Sequence, residues 1–368
     1  MRRQNFLVII LCLIIILIAA AIYFFIFSSQ KGITQQNKIS EIISKKQEHT
    51  ICLNDGEVVK YEIKDKKRSL GDSEAEITVF INNKKTGKEI YSFQIDNVRR
   101  NYHPSEIHKC GVYATQMFNY DPKKTKQESG YKAELWRYNY NGDGEFLILF
   151  QEKISDGEQK IYKSYYSTDF RIDNDEKYIV LEKWTIVEFD KGGYSDGKDH
   201  SIVIKNLKNK EDVFVLPAKE IVKQYPNFVG NFNMRDWTKD SRYFWGDIFD
   251  GADVLAIFRI DSTNWKWELF EVPPYTMGGT ALNPEYGYIT YDDGPPWTGD
   301  MDFDEINKEK WLKEGKKLNF YLYNLFTKEN ILLTTVDDPL WNFKPNWLSD
   351  TELQYTLPSG ETKIFTVK

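Results

Sequence analysis

Cysteine is scarce, with three in 368 residues, too few for a disulfide scaffold or a multi-cysteine metal module. The four histidines, His49, His103, His108 and His200, stand at no metal-ligand spacing. No H-E-x-x-H, P-loop or dinucleotide fingerprint is present. Long apolar runs are missing except for one, which excludes a polytopic membrane protein. Positive charge is not in excess either. The net charge is −6, which argues against a nucleic-acid partner. Aromatic rings, by contrast, are abundant: 23 Tyr, 23 Phe and 10 Trp. A chain with so much ring surface buries it in a folded core.

The one long apolar run is Phe6 to Phe27, 22 residues without a charge. As a helix it would cover roughly 33 Å, enough to cross a bilayer core of about 30 Å. Arg2 and Arg3 precede it, so the short tail, residues 1–5, is expected to stay in the cytoplasm and the rest of the chain to lie outside. Ala19, Ala20 and Ala21 offer a cleavage site, but apolar residues continue after them, which favours an uncleaved signal-anchor over 6–27. Residues 28–48 read as a polar spacer and 49–368 as the extracytoplasmic domain. Three of the 49 basic residues and none of the 55 acidic ones lie in positions 1–31, so the remainder carries a charge of −9.

Two units recur in that domain. One is a short turn between large residues: IDNDEKYI from Ile172, WTKDSRYF from Trp237, LNPEYGYI from Leu282 and WLSDTELQ from Trp347. An acid holds the fourth place, at Asp175, Asp240, Glu285 and Asp350, where it is expected to accept backbone N–H bonds within the turn. The other unit is a hairpin of period-2 strands at Ile77–Phe93, Ala133–Phe150, Ser201–Leu216, Leu255–Val272 and Leu318–Val336. Thr362–Lys368 is half of a further copy. Together the units spell four antiparallel strands per module, at the spacing of β-propeller blades. The sequence therefore predicts an all-β fold, a β-propeller with six blades fitting best and five to seven allowed. The missing last strand is expected from the N-terminal end of the domain, between His49 and Ile63, closing the ring.

The leading Trp, the acid turn and the following strand resemble the TolB-type, WD-repeat-like (PD40-like) propeller repeat, whose usual form is W-S-P-D-G-K. WTKDSRYF and WLSDTELQ are the nearest copies, and LNPEYGYI keeps the proline, at Pro284. The same repeat builds the propeller half of prolyl-oligopeptidase-type enzymes. The resemblance implies a six-bladed propeller, here behind an N-terminal signal-anchor.

Candidate chemistry is thin. Gly193–Gly197 fits G-x-S-x-G, but strands rather than a helix are expected around it, so it reads as a loop between blade strands. The segment 292–305, DDGPPWTGDMDFDE, is the most unusual. Asp300, Asp302 and Asp304 could converge on Ca²⁺, although the spacing is not that of an EF-hand. Asp292, Asp293, Trp297 and Trp311 could line a ligand mouth, and 304–315 reads as an inserted helix. No cofactor is otherwise expected. His103 and His108 read as exposed polar residues, and Cys52 and Cys110 as free and buried, with pairing the alternative. Trp136, Trp237, Trp245 and Trp347 read as core; Trp265, Trp267, Trp297 and Trp311 lie in or beside loops. The leading expectation is a membrane-anchored binding or scaffold module for a protein, peptide or cell-wall partner. The alternatives are a cation-dependent enzyme or a glycan-binding protein using 292–305.

Overall fold

The computed structural model describes residues 52–66, 74–99, 105–119, 131–155, 160–164, 166–183, 200–223, 231–250, 253–273, 280–295, 301–339 and 341–367. The segments expected to anchor and space the domain, together with 193–197, Trp297 and Asp300, lie outside them. Among the described residues no helix is long and apolar enough to cross a membrane.

The described chain is all-β. Its first sheet holds β1 (Glu57–Lys66), β2 (Glu74–Asn83), β3 (Glu89–Arg99), β4 (Ser105–His108), β5 (Gly111–Asn119), β6 (Tyr131–Tyr138), β7 (Gly144–Ser155) and β8 (Lys160–Ser164). The next three sheets are four-stranded antiparallel meanders. They comprise β9 (Tyr166–Ile172), β10 (Tyr178–Lys183), β11 (Ser201–Asn206) and β12 (Asp212–Pro217); then β13 (Asn231–Trp237), β14 (Tyr243–Asp250), β15 (Asp253–Asp261) and β16 (Lys266–Glu271); then β17 (Leu282–Asn283), β18 (Tyr288–Asp292), β19 (Leu318–Asn324) and β20 (Asn330–Val336). A three-stranded sheet follows, of β21 (Asn346–Trp347), β22 (Glu352–Thr356) and β23 (Thr362–Thr366). Among the described residues two helices interrupt these strands, α1 (Ala218–Val222) and α2 (Met301–Lys313).

The five hairpins form where the alternation places them: β2–β3, β6–β7, β11–β12, β15–β16 and β19–β20. Four of their turns share one device. Asn83, Asn206, Asp261 and Asn324 each accept backbone N–H bonds from the next residues of the turn. Four places on, Gly87, Lys210, Trp265 and Lys328 take up left-handed backbone. An Asx side chain replaces the backbone acceptor, and the left-handed residue brings the second strand back into register.

Successive sheets pack face to face. Val180, Ile202 and Leu216 of the second sheet share a core with Phe232, Trp237, Phe244 and Phe258 of the third. Trp245 and Ile257 of the third meet Ile289 and Tyr323 of the fourth. Phe320 of the fourth stacks on Phe343, 4.3 Å between ring centres, beside Tyr355 of the last.

The turns between first and second strands link the sheets. A turn acceptor stands in the second place of the repeat, and in the Trp237 copy the fourth-place acid accepts as expected, Asp240 taking the Arg242 N–H at 3.0 Å. Asp173 accepts the N–H groups of Lys177 and Tyr178 at 2.7 and 2.6 Å, and the Thr238 hydroxyl accepts that of Tyr243 at 2.9 Å. Two other fourth-place acids join neighbouring turns. Glu285 accepts the Lys239 N–H at 2.5 Å, and Asp350 pairs with the Lys239 ammonium at 2.6 Å.

Two further expectations are corrected. The Glu57–Lys66 strand does not complete the last sheet; it pairs along its whole length with β2, because the short 67–73 link favours an adjacent hairpin partner. Cys52 and Cys110 are joined in a disulfide across a separation of 58 residues. The adjoining Leu53 N–H donates to the Lys109 carbonyl at 2.8 Å, which brings the two segments together. Replacing Cys52 by Ser is expected to lower stability by about 2–4 kcal/mol. Urea denaturation with and without reductant checks this: reductant should reproduce the loss in the parent chain and leave the variant unchanged.

Candidate functional site

The first strands of the second, third and fourth sheets border a cavity of about 350 Å³. Its lining comes from Arg171 of β9, from Asn233, Met234, Arg235 and Asp236 of β13, and from Thr280, Ala281, Leu282 and Pro284 at and around β17. In β13 the pleat sends Phe232 and Met234 toward the core and leaves Asn233 and Arg235 partly open. The pairing with β14 then slips between Met234 and Trp237. This irregularity places two consecutive polar side chains, Arg235 and Asp236, on the open side before Trp237 returns to the core.

Both guanidinium groups of the wall are committed. Arg235 grips Asp247 in a fork, Nε to Oδ1 at 2.8 Å and Nη2 to Oδ2 at 2.7 Å. It also donates to the Thr280 hydroxyl at 2.9 Å and to the Thr280 carbonyl at 3.3 Å, tying the third sheet to the fourth. Arg171 donates to the Arg235 carbonyl at 2.8 Å, to Asp169 at 2.8 Å and to the Phe170 carbonyl at 2.7 Å. Beside it, Glu106 of β4 accepts the Ile172 N–H at 2.8 Å and meets His108 Nε2 at 3.2 Å. The His108 side chain is 13% exposed and sits edge-on to Tyr113, which corrects the reading of His108 as an exposed polar residue. Asp236 differs from the other carboxylates here. It accepts the adjoining Trp237 N–H at 2.8 Å and forms no ion pair among the described residues. It is open to water through the cavity yet walled by protein. That burial raises its carboxyl above the ordinary range, against the opposing pull of Arg171 and His108.

Among the described residues the cavity lining holds no Ser, Cys, His or Lys. Its chemistry is that of charge and hydrogen-bond recognition: one carboxylate without an ion pair, two pinned guanidiniums and an apolar wall.

Asp292, Asp293 and Trp311, the described residues of the expected ligand mouth, lie elsewhere. Asp293 accepts the Asn319 N–H and side-chain amide, each at 2.8 Å, and the Tyr321 hydroxyl at 3.4 Å, so it fastens the end of β18 to β19. Asp292 accepts the Gly294 N–H at 3.2 Å, and burial raises its carboxyl. Trp311 is half-buried in α2, with the Lys316 ammonium 4.9 Å from its ring centre. None of the three lines the cavity. Residues 302 and 304 stand in α2, which begins three residues before the expected start. Among the described residues no group of three His, Cys, Asp or Glu is placed to hold a metal ion. Trp265 packs edge-on against Tyr178 at 5.0 Å, and Trp265 and Trp267 both rest on the core, so neither contributes to an open aromatic platform.

No family model matches the chain, and no curated protein does. Solved structures similar to it include the tricorn protease, at 12% identity and a TM-score of 0.43, covering 83% of this chain and 29% of the protease. The β-propeller domain of the Trilobed protease from Pyrococcus furiosus is similar at 11% identity and a TM-score of 0.44, with coverage of 84% and 78%. TolB from Acinetobacter baumannii is similar at 10% and 0.27, with 85% and 80% covered. The chain thus spans under a third of the tricorn protease, and likenesses at this level carry no activity over to it. The described chain is an all-β protein of successive antiparallel sheets, and these structural neighbours are β-propeller proteins.

Proposed function

We propose that the chain is a single-pass, membrane-anchored β-propeller that acts outside the cytoplasm as a binding module for a protein or peptide. The observation that carries this reading is the cavity, where three successive sheets contribute to one mixed-polarity surface whose arginines are held rigid by their own carboxylates. A preformed surface of this kind loses little freedom on binding. The described lining supplies charges, hydrogen-bond donors and acceptors. The apolar run over 6–27 and its leading arginines support the anchor and its orientation.

Chemical crosslinking on intact cells, followed by purification of the full-length chain, tests the binding role. A discrete partner is expected; a chain that always purifies alone contradicts it. Topology is tested separately. External protease added to intact cells should digest residues beyond 32, and protection of the whole chain until lysis would overturn the orientation.

A further inference from the structure

We infer that the cavity receives a basic side chain of the ligand, with Asp236 as its counter-charge. This rests on the binding-module reading above and names what that site selects.

Three observations converge on it. The first is the state of the charges. Arg235 spends Nε, Nη1 and Nη2 on Asp247 and Thr280, and Arg171 spends Nε and Nη1 on Asp169 and two carbonyls. Asp236 is the one ionisable group of the lining without an ion pair among the described residues. The second is the balance. Among the described residues Glu106, Asp236 and Asp247 stand with Arg171 and Arg235, one carboxylate more than guanidiniums, beside His108. Outside the membrane segment the chain as a whole is acidic, so its field also draws cations. The third is shape. Leu282, Pro284 and Ala281 give the cavity an apolar part of its wall. A lysine or arginine side chain has a matching form, a methylene stem with a charged head. At about 350 Å³ the cavity is at the small end of ligand sites, sized for one or two side chains.

A phage-displayed library of random heptapeptides, selected on the full-length chain in nanodiscs, tests this. Winning sequences should share a Lys or Arg at one position. A synthetic winner with that residue changed to Gln should bind the unaltered chain roughly 10–100-fold more weakly, as expected for loss of a charged hydrogen-bond partner. Asp236→Asn, which keeps an acceptor for the Trp237 N–H, should weaken the parent peptide by a similar factor. The two changes together should cost little more than either alone. Winners without a basic residue, or a Gln peptide that binds undiminished, would overturn the inference while leaving the binding module standing. No enrichment at all would contradict the binding module itself. The Gln peptide needs no protein variant, so the result does not depend on how well Asp236→Asn folds.

Discussion

Replacing Arg235 by Met is expected to destabilise the chain by about 3–5 kcal/mol, the usual cost of breaking a buried ion pair from one side. The loss comes from what is left behind. Asp247 is 1% exposed, and Arg235 supplies its forked pair of hydrogen bonds. Without the guanidinium, the carboxylate stays in the core with no cation and must either remain charged at high cost or take up a proton. The same change removes both bonds to Thr280, so the third and fourth sheets lose a clasp. Removing the partner as well, in Arg235→Met with Asp247→Leu, should recover most of the stability, because no buried charge then remains. Urea denaturation of the two variants beside the parent chain measures this. A loss under about 1 kcal/mol in Arg235→Met would mean that Asp247 finds other partners or water.

Trp237→Ala is expected to cost a similar 3–5 kcal/mol, by a different cause. Trp237 is 3% exposed, lies 5.4 Å from Phe244 and stacks on Tyr178 of the preceding sheet. Truncation would open a cavity at the junction of two sheets, where neither can move in to fill it. Trp347 holds the same place in the last copy of the repeat but is only half-buried, with its indole N–H 3.4 Å from the Ala281 carbonyl. Trp347→Ala should therefore cost clearly less. Chemical denaturation that ranked the two in reverse would contradict the packing of the second sheet on the third.

The strand pattern was legible because both faces of each hairpin answer to the same period. In Leu318–Asn324 buried and half-open residues alternate for five positions, and a one-residue slip would turn Phe320 and Leu322 out of the core. The turn repeat was legible in outline only. Its large first residue and its acid stand out, yet the acceptor that closes the turn is Asp173 in one copy and Thr238 in the next. One role filled by different residue types leaves no letter to align. The Asx-plus-four device of the hairpin turns was present in NKKTG, NLKNK, DSTNW and NLFTK, but left-handed backbone at Lys210, Trp265 and Lys328 is not what those residue types announce. The site was less visible still. Arg235 and Asp236 reach the same cavity only because the strand register slips, and alternation alone assigns them to opposite faces. The carboxylates that drew notice, Asp292 and Asp293, stand out by crowding, and Asp293 is used to hold two strands together. The Cys52–Cys110 bond depends on a contact between segments 58 residues apart, which no local pattern encodes.

The most direct test of the account is a residue-resolved crosslink from the cavity. A photoreactive amino acid at Pro284, which lines the cavity, is compared with one at Val215, which is 47% exposed on the last strand of the second sheet. Both are placed in the full-length chain and irradiated on intact cells. The account predicts a discrete adduct from position 284 and none from 215. Adducts from 215 with none from 284 would contradict the claim that this cavity is where the protein binds.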